Sequence, residues 1–259
     1  MTKVIADHEI VDIQIPAKGH LFITLKSPVE IPPVFPGNFA ELHIAKSSEV
    51  FLRRPFGILD VDYENRLISF YVKIVGKGTR ELARYKTGEK INIMYPLGNS
   101  FSIPKNGKEV LVVGGGSGIA TFILLGKLLN QNNLKAIFLI GGRTKQDILL
   151  TEELGEYGQV LITTEDGSLG EKGFVTDHSI FRSGSFDFDK IYTCGPEPMM
   201  KAIGKIARKH QIDCEVSLEN MMACGFGVCL CCVTETKEGN QRVCMEGPVF
   251  NLDFLKWQI

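Results

Sequence analysis

The chain has 259 residues, a formal net charge of −1, and 44% hydrophobic and 23% charged residues. So even a balance leaves no electrostatic footprint for nucleic acid or an anionic membrane surface. The length allows two or three compact units, and no apolar run approaches the roughly 18 residues needed to span a bilayer.

The first residues, MTKVIADHEIVDIQI, carry acidic and polar side chains where a secretory leader needs its apolar core. A cytoplasmic protein is the expectation. Residues 1–103 alternate short apolar stretches with Pro and Gly punctuation: HLFITLKS, FAELHIAK, RLISFYVKIV and KINIMYPLG. That pattern predicts antiparallel strands in a barrel or sandwich. One helix is predicted from Thr79 to Tyr85, after Gly76 and Gly78.

From Lys108 the pattern changes. EVLVVGG is a continuous apolar strand of the kind buried on both faces, and IATFILLGKLLNQ after it has helical periodicity. AIFLIGGR, VLITTED and KIYTCGP follow as further strands, with PEPMMKAIGKIARKHQ as a helix. Alternating strand and helix predicts an α/β domain with a parallel sheet over residues 104–213. Residues 214–259 hold a cysteine cluster and short strands around CVTETKEGNQRVC. No internal repeat or low-complexity segment is present.

Four places along this order read as phosphate or cofactor contacts. Arg53-Arg54-Pro55-Phe56-Gly57, placed after a strand, offers guanidinium groups for a pyrophosphate and an aromatic face for a flat ring. A solvated turn is the alternative. Gly76-Lys77-Gly78-Thr79 opens the predicted helix with free N–H groups, or is an ordinary turn. In the α/β segment, Gly114-Gly115-Gly116-Ser117-Gly118 lies between strand and helix, where a nucleotide-binding turn belongs. It departs from G-x-G-x-x-G because Ile119 takes the last glycine position. Cys194-Gly195-Pro196 ends another strand and opens another helix, again at a carboxyl edge. Simple helix initiation explains its prolines equally well.

Five of the seven cysteines lie between Cys224 and Cys244. Without support for secretion, such clustering favours thiolate ligation of metal over disulfides. Cys224, Cys229, Cys232 and Cys244 give C-x4-C-x2-C and a distant fourth Cys, the plant-type spacing for a [2Fe–2S] cluster. Gly225 and Gly227 allow the tight loop such a cluster needs. Zinc is the rival reading, since Cys229-x2-Cys232 fits it. Cys231 is out of register and reads as a non-ligand, with exchange for Cys232 left open. Cys214 reads as a small buried hydrophobe.

The order R-x-F-x, G-x-G-T, GGGSGIA and CGPEPMM resembles the ferredoxin–NADP reductase superfamily across essentially the whole chain. Within it, RRPF, VGKGT, PLGNSF and MACGFGVCLCC followed by VCMEGPVF resemble the electron-transfer subunits of class 1B, NAD-linked dihydroorotate dehydrogenases. The resemblance implies a Greek-key β-barrel binding FAD (1–103), an α/β domain binding NAD(H) (104–213) and a small β-rich [2Fe–2S] domain (214–259). It implies Arg54 at the FAD pyrophosphate and Phe56 at the flavin. Arg53, Pro55, Tyr71, Val72, Lys73, Gly78 and Thr79 complete the flavin set. Gly114, Gly115, Gly116, Gly118, Cys194, Gly195 and Pro196 serve the nucleotide. Gly57 stands where the family has Ser or Thr, so a hydroxyl bond to the flavin is absent. The implied partner is a catalytic subunit carrying FMN, in a heterotetramer with two copies of each chain, acting in pyrimidine biosynthesis. No acid–base catalyst is expected, because hydride and electron transfer need positioning and potential. Small flavin subunits of NAD(P)H:ferredoxin transhydrogenases and sulfide dehydrogenases share the domain order and are the alternative. A zinc-stapled regulatory module with vestigial nucleotide sites is a third.

Overall fold

The computed structural model describes residues 2–46, 49–105, 107–182 and 186–259. They fall into two compact units. Met1–Ser100, Asn220–Thr234 and Gln241–Pro248 make the first; Phe101–Glu219, Glu235–Asn240 and Val249–Ile259 make the second.

The first unit is a seven-stranded antiparallel sheet of β1 (Val4–Ala17), β2 (His20–Lys26), β3 (Phe39–His43), β4 (Arg54–Gly57), β5 (Asp60–Asp62), β6 (Leu67–Lys73) and β7 (Lys90–Leu97). They lie in the order β4-β3-β7-β1-β2-β6-β5. The order is non-sequential because β7 returns to pair with β1 and β3, the long-range connection that the Greek-key reading anticipates. Ile10, Leu21, Ile23, Leu25, Leu42, Ile68, Phe70, Ile91 and Ile93 are buried between its curled faces. The first strand is the surprise. The segment read only as too polar for a leader is the longest strand and the sheet's centre. Its polarity fits a strand with one wet face, for His8 and Ile10 are buried while Asp7 and Glu9 are exposed.

β4 adds to a second expectation. RRPFG follows β3 along the chain, and Arg54–Gly57 is itself an edge strand, paired only to β3. An edge is where Pro55 is tolerated, since a missing N–H breaks no interior ladder. The predicted helix is present but shorter, α1 (Lys77–Leu82).

His8 is fully buried, its Nε2 3.2 Å from the Tyr95 hydroxyl, which in turn donates to Ser27 at 3.2 Å. Burial holds the imidazole below its ordinary 6.5, against the raising pull of the Ala6 carbonyl and Asp7. A depressed pKa in the folded state means the unfolded chain binds the proton more readily. Stability is therefore complete above pH 6.5 and falls as the pH drops below it, by up to about 1.4 kcal/mol per pH unit. Urea unfolding at pH 7.5, 6.5 and 5.5 measures that slope, and His8→Asn flattens it; an unchanged slope removes His8 as its source.

The second unit is a mainly parallel sheet. In chain order its strands are β8 (Glu109–Gly115), β9 (Lys135–Gly142), β10 (Gly158–Thr164), the two-residue β11 (Glu171–Lys172), β12 (Lys190–Cys194) and β13 (Cys214–Ser217). After a ribbon of β14 (Val233–Thr236) and β15 (Gly239–Arg242) comes β16 (Val249–Asn251). The order is β11-β10-β9-β8-β12-β13-β16, with only β16 antiparallel. Helices α2 (Phe122–Gln131), α3 (Thr151–Gly155) and α4 (Glu197–His210) complete it. Val110 to Val113 of β8 are wholly buried, as a strand covered on both faces requires. The helical run after β8 begins as a 3-10 turn over Gly116–Thr121 and becomes α-helical only at Phe122. Arg208, Lys209 and His210 close α4, where the helix dipole favours cations.

Lys190 opens β12 nearly fully buried. Its ammonium meets Asp213 at 2.7 Å, Glu215 at 3.0 Å and Ser102 Oγ at 2.8 Å. A buried charge persists only with such partners. The cluster sits at the amino end of the strand, away from the ligand-binding carboxyl edge, so its role is structural. Among the described residues no helix is long and apolar enough to cross a membrane.

Candidate functional site

In the first unit the β3–β4 register sorts the flavin candidates by face. Arg54 pairs with Leu42, Pro55 with Glu41, Phe56 with Ala40 and Gly57 with Phe39. Side chains alternate along a strand, so Arg54 and Phe56 share one face while Pro55, Gly57 and Glu41 share the other. Gly78 comes close to Arg54: a Cβ there would lie 3.1 Å from its Nε. Arg54 is steadied by its own bonds to the carbonyls of Leu52 and Arg53, at 2.8 and 3.1 Å. A side chain at Gly78 would press on this guanidinium.

Arg53 has a different occupation. It donates to Glu41 O at 3.2 Å, Asn92 O at 3.1 Å and Asn92 Oδ1 at 2.5 Å, tying the entry of β4 to β3 and β7. Thr79 Oγ1 accepts from the amides of Val75 and Gly76, holding the turn before α1. Tyr71 and Val72 are buried in β6, with Tyr71 stacked on Phe22 and its hydroxyl 2.7 Å from His20 Nδ1, while Lys73 is half-buried.

The cysteine loop covers the opposite face of β3. A Cβ on Gly225 would lie 2.7 Å from Glu41 Cγ and 3.1 Å from Met94 Cε. Gly225 and Gly227 have φ of +74° and +87°, in the left-handed region the tight loop needs. The four predicted ligands stand as two pairs. Cys224 is within hydrogen-bonding reach of Cys229, and Cys232 of Cys244, whose amide also donates to Cys232 Sγ at 3.4 Å. Burial opposes ionisation of Cys224, but the amides of Cys229, Phe226 and Val228 outweigh it and bring the thiol to about 6. Burial and the Cys232 neighbour push Cys244 up to about 12.

Two pairs linked by one loop fit a binuclear iron cluster, in which each iron takes two thiolates. Cys231 is exposed, and its thiol turns to Met221 O at 3.7 Å.

Sequence reasoning missed Glu41. It is fully buried, both its carboxylate oxygens lack a hydrogen-bond partner among the described residues, and burial raises it to about 7. It also missed Arg242 and Glu246, which brace the loop from the other side. An acidic residue in an otherwise apolar strand was the only available signal for Glu41.

In the second unit the two predicted loops meet. β8 and β12 are parallel neighbours with Cys194 opposite Gly114, so both loops leave at the carboxyl edge. A Cβ on Gly118 would fall 2.5 Å from the carbonyl of Cys194, and one on Gly195 2.6 Å from Gly115 O. Gly116, at φ +59°, faces open space. Pro196 caps α4, and burial pushes the Cys194 thiol up, keeping it neutral.

The sequence matches two family models: the iron-sulfur cluster binding domain of dihydroorotate dehydrogenase B over residues 219–256, and an oxidoreductase NAD-binding domain over 112–205. Among curated proteins, the dihydroorotate dehydrogenase B (NAD(+)) electron transfer subunit of Fusobacterium nucleatum subsp. nucleatum is 38% identical, covering 83% of this chain and 84% of that protein. The chain belongs to this family of electron transfer subunits. Its Clostridium acetobutylicum member is 40% identical over 84% of both chains. A solved structure of an NADH-dependent reduced ferredoxin-NADP oxidoreductase, described for flavin-based electron bifurcation, superposes with a TM-score of 0.88. It is 32% identical, covering 97% of this chain and 90% of that one. More distant, a Neisseria gonorrhoeae ferredoxin NADP+ reductase shares the fold at 14% identity and a TM-score of 0.66.

Proposed function

We propose that this chain is the electron-transfer subunit of an NAD-linked dihydroorotate dehydrogenase serving pyrimidine biosynthesis. It works with an FMN-containing catalytic subunit in a cytoplasmic heterotetramer of two copies of each chain. The carrying observation is the thiol pairing in the segment matched by this family's iron–sulfur domain.

When bound, FAD exchanges electrons in pairs with the nicotinamide and singly with the [2Fe–2S] cluster. The chain's own residues place these groups. Arg54, beside Gly78, would hold the FAD pyrophosphate, and Phe56 on the same face would offer its ring to the flavin. Arg53 anchors their strand. Pro55, Tyr71, Val72, Lys73 and Thr79 shape the wall and the turn around it. Gly114, Gly115, Gly116 and Gly118 with Cys194, Gly195 and Pro196 form the dinucleotide cradle. Cys224, Cys229, Cys232 and Cys244 would hold the cluster, one pair to each iron. Residues 1–103, 104–213 and 214–259 are thus the FAD, NAD and cluster segments.

The purified chain is expected to be yellow-brown, to reduce dyes with NADH, and to leave dihydroorotate untouched until the FMN subunit is added. Oxidation of dihydroorotate by the chain alone, or a colourless zinc protein, overturns the reading. The 32% identical oxidoreductase structure favours a second one, a small flavin subunit of an NAD(P)H:ferredoxin transhydrogenase or sulfide dehydrogenase. Co-purification decides: an FMN-bearing TIM-barrel subunit supports the first reading, a larger iron–sulfur flavoprotein the second.

A further inference from the structure

We infer that Arg242 and Glu246 form an opposed charge pair beside the cluster, Arg242 raising its reduction potential and Glu246 lowering it by a similar amount. The inference rests on the iron–sulfur reading above.

The geometry places the pair between the two halves of the ligand set. The amides of Met245 and Glu246 both donate to Arg242 O, at 3.0 and 2.9 Å, closing a tight turn around Cys244. Glu246 folds back onto Arg242: Oε2 accepts from the backbone N at 2.7 Å and from Nε at 3.2 Å, while Oε1 meets Nη2. The remaining arm, Nη1, reaches Gly227 O at 3.3 Å, between Cys224 and Cys229. One guanidinium therefore joins the turn of the distant cysteine to the loop of the other three. The approach to Gly227 depends on its missing side chain, since a Cβ there would lie 2.6 Å from Met245 Cγ and 3.1 Å from Nη1.

Charge gives this clasp a second consequence. Cys232 and Cys244 act electrostatically on Arg242, and the interaction is mutual. Adding an electron makes the ligand set more negative, so a nearby cation stabilises the reduced form and an anion destabilises it. Both side chains are about one-third exposed, at 39% and 31%, so water weakens each effect without removing it. As a pair they largely cancel; singly each pulls in its own direction.

The test is a redox titration of the holo protein at one pH, followed by the electron paramagnetic resonance signal of the reduced cluster. A single pH keeps Glu41, which abuts Gly225, in a constant state. Arg242→Gln is expected to lower the reduced-to-oxidised ratio at fixed poise by at least about threefold, ~28 mV for one electron. Glu246→Gln is expected to raise it by a similar factor, and the double variant to return near the starting value. Arg242→Lys, which keeps the charge but loses the fork geometry, should stay close to the unsubstituted protein. Shifts of the same sign, no shift, or loss of the cluster in every variant make the pair a purely structural clasp and overturn the inference. A starting protein that holds no cluster overturns the functional reading and this inference together, while a cluster indifferent to both charges overturns the inference alone.

Discussion

Cys232→Ser is expected to give a folded, flavin-bearing protein with no [2Fe–2S] cluster, whereas Cys231→Ser is expected to keep it. The two residues are neighbours in sequence, yet the fold treats them oppositely. Cys232 is 2% exposed, beside Cys244, and receives the Cys244 amide on its sulfur. Cys231 is exposed and directs its thiol to the Met221 carbonyl. A serine oxygen is a shorter and harder ligand than a thiolate and leaves one iron with a single thiolate from its pair. Iron and acid-labile sulfide analysis should find about 2 iron atoms per chain in Cys231→Ser. Cys232→Ser should lose at least nine-tenths of that, on the order of the loss expected when a site is left without a ligand. The opposite pattern would show that Cys231 is the true third ligand.

Gly118→Ala is expected to be a strongly damaging single-methyl change at the nucleotide-binding turn. The new Cβ would sit 2.5 Å from both the carbonyl carbon and oxygen of Cys194, and 2.6 Å from the Gly195 amide. All three are backbone atoms between parallel neighbours β8 and β12, so no rotamer change relieves the clash. The loops must separate, at a cost of about 3 kcal/mol or more. The same separation spoils the phosphate cradle, and NADH-dependent dye reduction should fall on the order of 100-fold through a higher KM. Gly116→Ala is the control. It meets only open space and bears the left-handed strain of φ +59°, worth about 1 kcal/mol. Equal losses of stability from the two alanines, read by urea unfolding, would exclude the loop contact as the cause.

Hydrophobic periodicity made the architecture readable before any coordinates. A buried parallel strand such as EVLVVGG is apolar without interruption because helices cover both faces, and the structure places it mid-sheet. Strand β1 escaped notice for the converse reason. An alternating segment with acidic residues is compatible with an exposed tail, and only pairing to both β2 and β7 makes it central. The strand character of RRPFG itself went unread because proline argues against a strand everywhere except at an edge, and edges are decided by the whole sheet.

By itself, the sequence determined the fold class, the family and the chemistry of the cysteine loop. These depend on local quantities: the period of apolar residues, the softness of thiolate ligands and the spacing a small cluster demands. Only the tertiary structure decided how those parts are used. Arg53 and Arg54 are adjacent and chemically identical, yet one is bound across the sheet to Asn92 and the Glu41 carbonyl while the other bonds the carbonyls of Leu52 and Arg53 and lies against Gly78. Four cysteines at fixed spacing become two pairs because Cys244 is brought to Cys232 across the turn that Arg242 and Glu246 close. Glu41, more than 180 positions before Gly225, becomes its buried neighbour through the packing of the loop on β3. Contacts between residues far apart in the chain leave no periodic trace, which is why they appear only once the chain is folded.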